Sequence, residues 1–405
     1  MFHVKTLNNI SSKGLEYFPR DRYEVGNDVA NPDALLLRSA DLHGIDIPKS
    51  VVAVARSGAG VNNIPVSALT ERGIVVFNTP GANANAVKEL TLAALFLTSR
   101  KITDAILWGQ TLAMNMHPAA SADAGELSRL VEKEKNNFTG PEIRGKTLGV
   151  IGLGAIGVSV ANDALSLGMD VIGYDPFISV DAAWSLSRAV GKADSLESLL
   201  AVSDYITIHI PLTADSRGIL NDERIRTIKK GARLLNFARG ELVSEPAILA
   251  ALDEDRVSVY VTDFPTPALI AHRNVICIPH LGASTPEAEE NCAVMAVRQL
   301  ASFLETGAVR NSVNFPACKL DKHSGHRLLI MNRNVPNMVG QITSMLAASK
   351  INIMDMINHH RDGFAYNIID TEQETSSVIA ARLQGIEGVI RVRAIEEVSR
   401  YENRR

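Results

Sequence analysis

The segment that most restricts what this chain can become is Gly152-Leu153-Gly154-Ala155-Ile156-Gly157, a GxGxxG run. Alone it is a weak signal, because any glycine-rich turn matches it by chance. Its surroundings make it specific. An apolar strand pattern from Leu148 to Ile151 precedes it and an Ala/Leu-rich helical pattern follows. A second strand pattern then ends in an acid, Asp175, eighteen residues after Gly157 (175 − 157). The first two glycines permit a tight turn and close approach of the backbone to a pyrophosphate. The third lets helix and strand pack closely, and the helix N-terminus faces the negative charge. Ala155 and Ile156, inside the run, are expected to bind the cofactor with the glycines. Asp175 would accept hydrogen bonds from the adenosine ribose hydroxyls, and its charge would repel a 2′-phosphate. The expected cofactor is therefore NAD rather than NADP.

The run sits inside an α/β series. From Lys146, strand patterns appear in TLGVIGLGAIG, DVIGYDP, DYITIHIPL, ARLLNFARG, VSVYVTDFP and NVICIPH, alternating with helical stretches. That alternation predicts a doubly wound parallel sheet. Residues 1–100 repeat the style, with DALLLRS, VVAVARSGAG and GIVVFNTPG as buried strands and AVKELTLAALFLTSRK as a helix. The segment after Pro286 reads as one long helix ending near Gly307. Residues 310–325 read as a linker. The last eighty residues follow the order β-α-β-β-α-β, which predicts a small ferredoxin-like domain. A chain of 405 residues accommodates two to four such units.

Charge and cysteine usage exclude several classes. Lys plus Arg is 41 and Asp plus Glu is 45, so the net charge of −4 favours neither nucleic acid nor an anionic membrane as partner. No run approaches 18 apolar residues, and the start MFHVKTLNNISSKG has no apolar signal core. Cys277, Cys292 and Cys318 fit no metal spacing and no disulfide framework. The expectation is a reduced, cytoplasmic setting without a metal.

Hydride transfer to a 2-oxo acid needs a cation for the carboxylate, a proton donor that titrates near neutrality, and a nicotinamide set against the carbon. Arg239 in NFARGE ends one strand, and its planar guanidinium can hold a carboxylate through two hydrogen bonds. His280 in IPHLGAST follows another strand and suits the proton role. Each residue alone would more often be structural. Both follow strands of the GxGxxG domain, where an open sheet places its ligands beyond the strand C-termini. In the first hundred residues, Arg56-Ser57-Gly58-Ala59-Gly60 is a glycine-rich loop whose backbone N–H groups could cradle a carboxylate.

The order GLGAIG, YDP, HIPLT, NFARGELV, TDF and PHLGAST resembles the D-isomer-specific 2-hydroxyacid dehydrogenase family across nearly all of residues 1–315, and the C-terminal module resembles an ACT domain. The resemblance implies a substrate-binding domain formed by residues 1–100 and 285–315, with an NAD-binding domain, residues 101–284, inserted in it. A linker over 316–325 and a regulatory domain over 326–405 follow. It implies NAD-dependent oxidation of a D-2-hydroxy acid. The expected substrate is 3-phosphoglycerate, giving 3-phosphohydroxypyruvate in the first step of serine synthesis. A hydroxypyruvate or 2-oxoglutarate reductase is the alternative enzyme. A non-catalytic NAD-sensing partner protein is the alternative from another class.

The resemblance also implies roles for single residues. Arg38 in LLLRSADL matches an Arg near the substrate phosphate. Asp263 matches the Asp at the nicotinamide end of the cofactor, with Phe237, Ala238, Gly282 and Ala283 lining the cofactor. Asn334 and Asn352 match a pair of side chains that holds L-serine as effector across a two-domain interface, within a homodimer or homotetramer. Departures accompany these matches. The family Glu that pairs with the catalytic His is missing, since no acid lies between Asp263 and His280. In the C-terminal module a family His is replaced by Asn332 and a loop Gly by Asn337. Lys133 and Lys135 fall near a family basic segment but read as solvated helix charges.

Overall fold

The computed structural model describes residues 1–115, 124–320 and 325–395. The chain forms two compact units, one of Met1–Asn83 with Pro286–Arg405 and one of Ala84–Thr285.

In the first unit, strands β1 (Phe2–Leu7), β2 (Tyr23–Gly26), β3 (Ala34–Leu37), β4 (Ala53–Arg56) and β5 (Val75–Phe77) form a parallel sheet in the order β2-β1-β3-β4-β5. Every residue of β3 and β5 is buried, as their unbroken apolar runs require of strands covered on both faces. The Pro286–Thr306 helix lays Ala296, Val297, Leu300, Phe303 and Leu304 on one face of this sheet.

In the second unit, strands β6 (Thr147–Ile151), β7 (Asp170–Tyr174), β8 (Gly191–Lys192), β9 (Tyr205–Ile208), β10 (Ala232–Asn236), β11 (Val257–Thr262) and β12 (Val275–Cys277) form a seven-stranded parallel sheet. Their order is β12-β11-β10-β9-β6-β7-β8, so the chain reverses direction of growth between β6 and β9. Ligands of doubly wound sheets gather at such a switch point. The Ala84–Arg100 helix, read above with residues 1–100, packs in this unit, where Val87, Ala94 and Leu95 share a core with Leu148, Val150, Ala161 and Leu235.

The C-terminal residues of the first unit form an antiparallel sheet from β13 (His326–Arg333), β14 (Ile353–Arg361), β15 (Phe364–Thr371) and β16 (Val389–Ile395), in the order β14-β15-β13-β16. This is the βαββαβ arrangement expected. One face carries Leu328, Ile330 and Ile369 against Met338, Ile342, Leu346 and Leu383 of its two helices. The other face is buried too. Leu329, Met331, Tyr366, Ile368 and Ile395 join a core with Phe77, Phe303, Val309 and Phe315 of the parallel-sheet region. Polar contacts reinforce that seam. Tyr366 donates to the Gly307 carbonyl at 2.7 Å, and the buried Arg327 binds Asp370 through two bonds of 2.7 and 2.8 Å and the Thr306 carbonyl at 2.9 Å.

Within the segment read as a linker, residues 314–316 and 318 are buried. Asn314 imitates a strand beside β5: its Oδ1 accepts from the Val76 N–H, and its Nδ2 donates to the Ile74 carbonyl, both at 2.9 Å. Phe315 and Cys318 are buried, and Val309 and Cys318 pair as an antiparallel bridge. Residues 321–324 lie outside the described residues. Among the described residues no helix is long and apolar enough to cross a membrane.

Candidate functional site

The glycine run forms the turn between β6 and the Ala155–Ser166 helix. Gly152 has φ +90°, and a Cβ there would lie 2.7 Å from the His209 carbonyl oxygen. A Cβ on Gly157 would lie 1.9 Å from the Gly152 carbonyl, so helix and strand approach as closely as the motif predicts. Above Gly154 there is open space, with no atom within 4 Å of where a methyl group would stand. The N–H groups of the helix start meet no side-chain cap. An anion can therefore approach this backbone, and the residues fit a dinucleotide pyrophosphate. Asp175 sits at the end of β7. Its Oδ2 accepts from the Leu153 N–H and its Oδ1 from the Phe177 N–H, each at 2.8 Å, so the acid shapes the turn while each oxygen keeps a lone pair for a ribose hydroxyl.

His209, at the end of β9, backs this turn. Its N–H donates to the Ile151 carbonyl at 2.7 Å and its Nε2 lies 3.0 Å from Thr207 Oγ1. Burial pushes its imidazole down to about 3, so it is neutral at physiological pH.

The C-terminal ends of β10, β11 and β12 bring Arg239, Asp263 and His280 to the same side of the sheet. Asn236, fully buried, makes the β10 end possible. Its Oδ1 accepts from the Ala238 N–H at 3.2 Å and its Nδ2 donates to the Arg239 carbonyl at 2.8 Å. Arg239 Nη1 donates to the Ala238 carbonyl at 2.6 Å, which leaves further guanidinium N–H groups for a carboxylate. Asp263 is 1% exposed; its Oδ2 accepts from the Gly282 N–H at 3.1 Å and its Oδ1 has no hydrogen-bond partner. Burial pushes this carboxyl up, against the pull of the Gly282 N–H and of the His280 and Arg239 charges. An orphaned buried acceptor beside a histidine and an arginine suits a donor such as a carboxamide N–H, so Asp263 too fits the nicotinamide end of a cofactor. His280 is exposed, and its ring centroid lies 4.8 Å from that of Phe264 at 58°.

Asp263 and His280 line a cavity of about 710 Å³ whose walls also include Gly240, Glu241, Glu245, Tyr260, Phe264 and Thr266. Ala238, Gly282 and Ala283 lie at the same strand ends. Phe237, expected to line the cofactor, has its side chain in a core with Val87 and Leu95. Lys133 and Lys135 are exposed, and Lys135 pairs with Glu132.

In the first unit, Arg38 and Arg56 come together at the C-terminal ends of β3 and β4. Arg56 Nε donates to the Arg38 carbonyl at 2.9 Å and its Nη1 bonds the Gly60 carbonyl. Arg56 thus braces the loop through Ser57 and Gly58, and Thr79 donates its N–H to the Gly58 carbonyl at 3.1 Å. Arg38 is 40% exposed at its side chain and forms an ion pair with Glu289 at 2.7 Å. Burial pushes the nearby Cys292 thiol up, while Thr79 and the charges of Arg38 and Arg56 pull it back.

In the C-terminal sheet, Asn334 and Asn352 are not brought together within one chain. The Asn334 N–H binds the Gly363 carbonyl before β15 begins, whereas the Asn352 carbonyl accepts from Glu372 after β15 ends. Gly363 and Glu372 are nine residue steps apart along β15 (372 − 363), which at about 3.3 Å per step separates them by roughly 30 Å. The two departures near them are accommodated. Asn337 takes φ +67°, a left-handed conformation that Asn tolerates as Gly does. Asn332 is buried, accepting from Asn367 Nδ2 at 2.7 Å and donating to the Arg333 carbonyl at 2.6 Å.

A doubly wound sheet, a pyrophosphate-type turn and an Arg/His pair at its strand ends define a dinucleotide-binding α/β protein. Residues 112–282 match the NAD-binding domain of the D-isomer specific 2-hydroxyacid dehydrogenases. The chain is 32% identical over 363 residues to the D-3-phosphoglycerate dehydrogenase of Haemophilus influenzae, covering 87% of this chain and 83% of that protein. It is 34% identical over 346 residues to the D-3-phosphoglycerate dehydrogenase of Methanocaldococcus jannaschii, covering 82% of this chain and 61% of that one. Several such relatives are longer, and the chain spans about three-fifths of their length or less. A crystal structure of a Thermus thermophilus protein superposes with a TM-score of 0.61 at 28% identity, covering 77% of this chain and 100% of the other. This chain belongs to the D-isomer specific 2-hydroxyacid dehydrogenase family.

Proposed function

We propose that this protein is an NAD-dependent dehydrogenase of a D-2-hydroxy acid, with 3-phosphoglycerate as substrate and 3-phosphohydroxypyruvate as product. The observation that carries the reading is the meeting of Arg239, Asp263 and His280 at neighbouring strand ends of a sheet whose switch point carries the glycine turn. The bound cofactor supplies the hydride acceptor. Arg239 holds the carboxylate of the acid and withdraws charge from the carbonyl oxygen. His280 takes the hydroxyl proton during oxidation and returns it during reduction. Asp263, with its spare acceptor, orients the carboxamide end of the cofactor. Arg38 exchanges Glu289 for the phosphate of the substrate. Asp175 favours NAD over NADP.

The relatives called D-3-phosphoglycerate dehydrogenase support the choice of substrate. We extend the reading to L-serine as effector, held by Asn334 of one chain and Asn352 of another. Their separation at opposite ends of β15 means that a shared site needs two copies. The test is oxidation of NADH with 3-phosphohydroxypyruvate, hydroxypyruvate or 2-oxoglutarate. The reading expects the phosphorylated acid to give the highest kcat/KM. A preference for either unphosphorylated acid overturns the substrate, and no turnover on any of the three favours a non-catalytic sensor.

A further inference from the structure

Resting on the reading of His280 as the proton carrier, we propose that Glu245 is its positioning residue. It works through a hydrogen-bonded loop, since among the described residues no carboxylate hydrogen-bonds the His280 ring. Three acids share the cavity with His280: Glu241, Glu245 and Asp263. Asp263 gives one oxygen to the Gly282 N–H and, in the reading above, its other oxygen to the cofactor carboxamide, and Glu241 is exposed, 3.9 Å from Arg217. Glu245 is different. It is half-buried in the first turn of the Glu245–Asp253 helix, where the helix N-terminus favours an acid. Its Oε2 accepts from Thr266 Oγ1 at 2.6 Å.

That bond fixes a short segment. Thr266 Oγ1 also accepts from the Leu269 N–H at 3.3 Å, so its single proton is directed to Glu245. At the other end of the segment, Asp263 is tied to Gly282, and the Phe264 N–H donates to Thr262 Oγ1 at 3.1 Å. Pro265 and Pro267 stiffen what lies between. Phe264 projects from the middle. Its back is set against Gly240, where a Cβ would stand only 3.1 Å from the Phe264 Cβ, and its ring lies against His280 at 4.8 Å. The imidazole, exposed on its other side, thus has an aromatic face as a wall in a geometry aromatic rings favour. Releasing Thr266 from Glu245 frees the segment at one end and lets that wall move.

The test reads the imidazole itself. In the full chain, the His280 ring resonance is assigned with His280→Gln, and the ring-current contribution of Phe264 with Phe264→Leu. Glu245→Ala and Thr266→Val are expected to move the His280 resonance toward its Phe264→Leu position. Both should lower kcat tenfold or more, with KM for the oxo acid and for NADH within threefold of wild type. Glu245→Gln keeps an acceptor for Thr266, and Thr266→Ser keeps the hydroxyl. Each should recover the resonance and kcat to within threefold. An unmoved resonance in both Glu245→Ala and Thr266→Val overturns the proposal, and if one variant does not fold the other decides. Glu245→Gln as impaired as Glu245→Ala overturns it as well, because charge rather than the loop bond would then be acting. A wild type inactive on every oxo acid would refute the dehydrogenase reading, while the resonances would still decide whether Glu245 places the ring.

Discussion

Replacing Leu329 by Ala tests whether the C-terminal sheet and the first parallel sheet share one core. Leu329 is 1% exposed on β13 and lies among residues of both sheets. Its tip presses on Gly307: a Cβ on that glycine, which has φ +73°, would meet Leu329 Cδ2 at 2.2 Å. Truncation removes three carbons, about 2.4 kcal/mol of transfer energy at about 0.8 each. The pinned backbone of Gly307 limits collapse into the hole, so a cavity term brings the loss to about 3 kcal/mol. At about 1.4 kcal/mol per factor of ten, amide exchange that requires opening of this core should accelerate by roughly 150-fold.

The assay is native-state hydrogen exchange on the full chain, read separately for β3 and β4 and for β13 and β15. A shared core requires all four strands to lose protection by a similar factor. Trp108 and Trp184, the only tryptophans in the chain, both lie within 84–285, so their fluorescence reports the other unit and should keep its urea midpoint. Loss of protection in β13 and β15 alone, with β3 and β4 unmoved, would refute the reasoning and make the sheet an independent unit. The same argument opposes the simple idea that cutting the chain near residue 322 yields an intact, unregulated enzyme. That cut strips Leu329, Met331, Tyr366, Ile368 and Ile395 from a core that Phe77 and Phe303 also need.

Asp175→Ala should narrow the preference for NAD over NADP, measured as the ratio of kcat/KM values; equal use of both by the wild type would remove the basis for the assignment. Arg38→Ala should raise KM for the phosphorylated acid tenfold or more while leaving unphosphorylated acids within threefold, whereas Arg239→Ala should cost most activity on all of them; equal effects of Arg38→Ala on both classes would contradict a phosphate role. Asn352→Ala should abolish serine inhibition and spare catalysis, and calorimetry showing no serine binding to the wild type would dismiss the effector. His209 gives a pH test. Folding holds it neutral, so the unfolded chain binds a proton below about 6.5 that the folded chain refuses until about 3. Stability from this group is complete above that range and falls by at most about 1.4 kcal/mol per unit as pH drops through it. His209→Gln, which can keep the bond to Thr207, should flatten part of the decline in the tryptophan-monitored urea midpoint between pH 7 and 5.5; an unchanged slope would mean that the imidazole is not shielded.

The parts of the site that could be read from the sequence are those encoded locally. Gly157 answers to a backbone clearance within one turn and Gly152 to a positive φ, and Arg239 and His280 are placed by lying just after strands. Residues that act at long range left no such trace. Asn236 looks like an ordinary strand-end polar group until its amide is seen holding both Ala238 and Arg239. Glu245 and Thr266 are 21 positions apart, and nothing in either neighbourhood announces their bond. Asn314 and Phe315 have loop composition, yet a side-chain amide takes the place of a ladder and an aromatic ring fills a core.

One signal for the buried sheet was present in plain view. An antiparallel strand with one wet face should alternate, but β13 reads His-Arg-Leu-Leu-Ile-Met-Asn-Arg, with four consecutive apolar residues in its centre. Such a run demands cover on both faces, and the two helices of the module supply only one. The second cover has to come from the rest of the chain, and Phe77, Phe303 and Phe315 provide it. Arg327 makes the same demand in polar terms. A guanidinium that is 2% exposed needs fixed partners, and it finds Asp370 on its own sheet and the Thr306 carbonyl at the end of the Pro286–Thr306 helix. An effector that shifts β13 would therefore act on the C-terminal end of that helix through packed side chains and the bond from Arg327 to the Thr306 carbonyl.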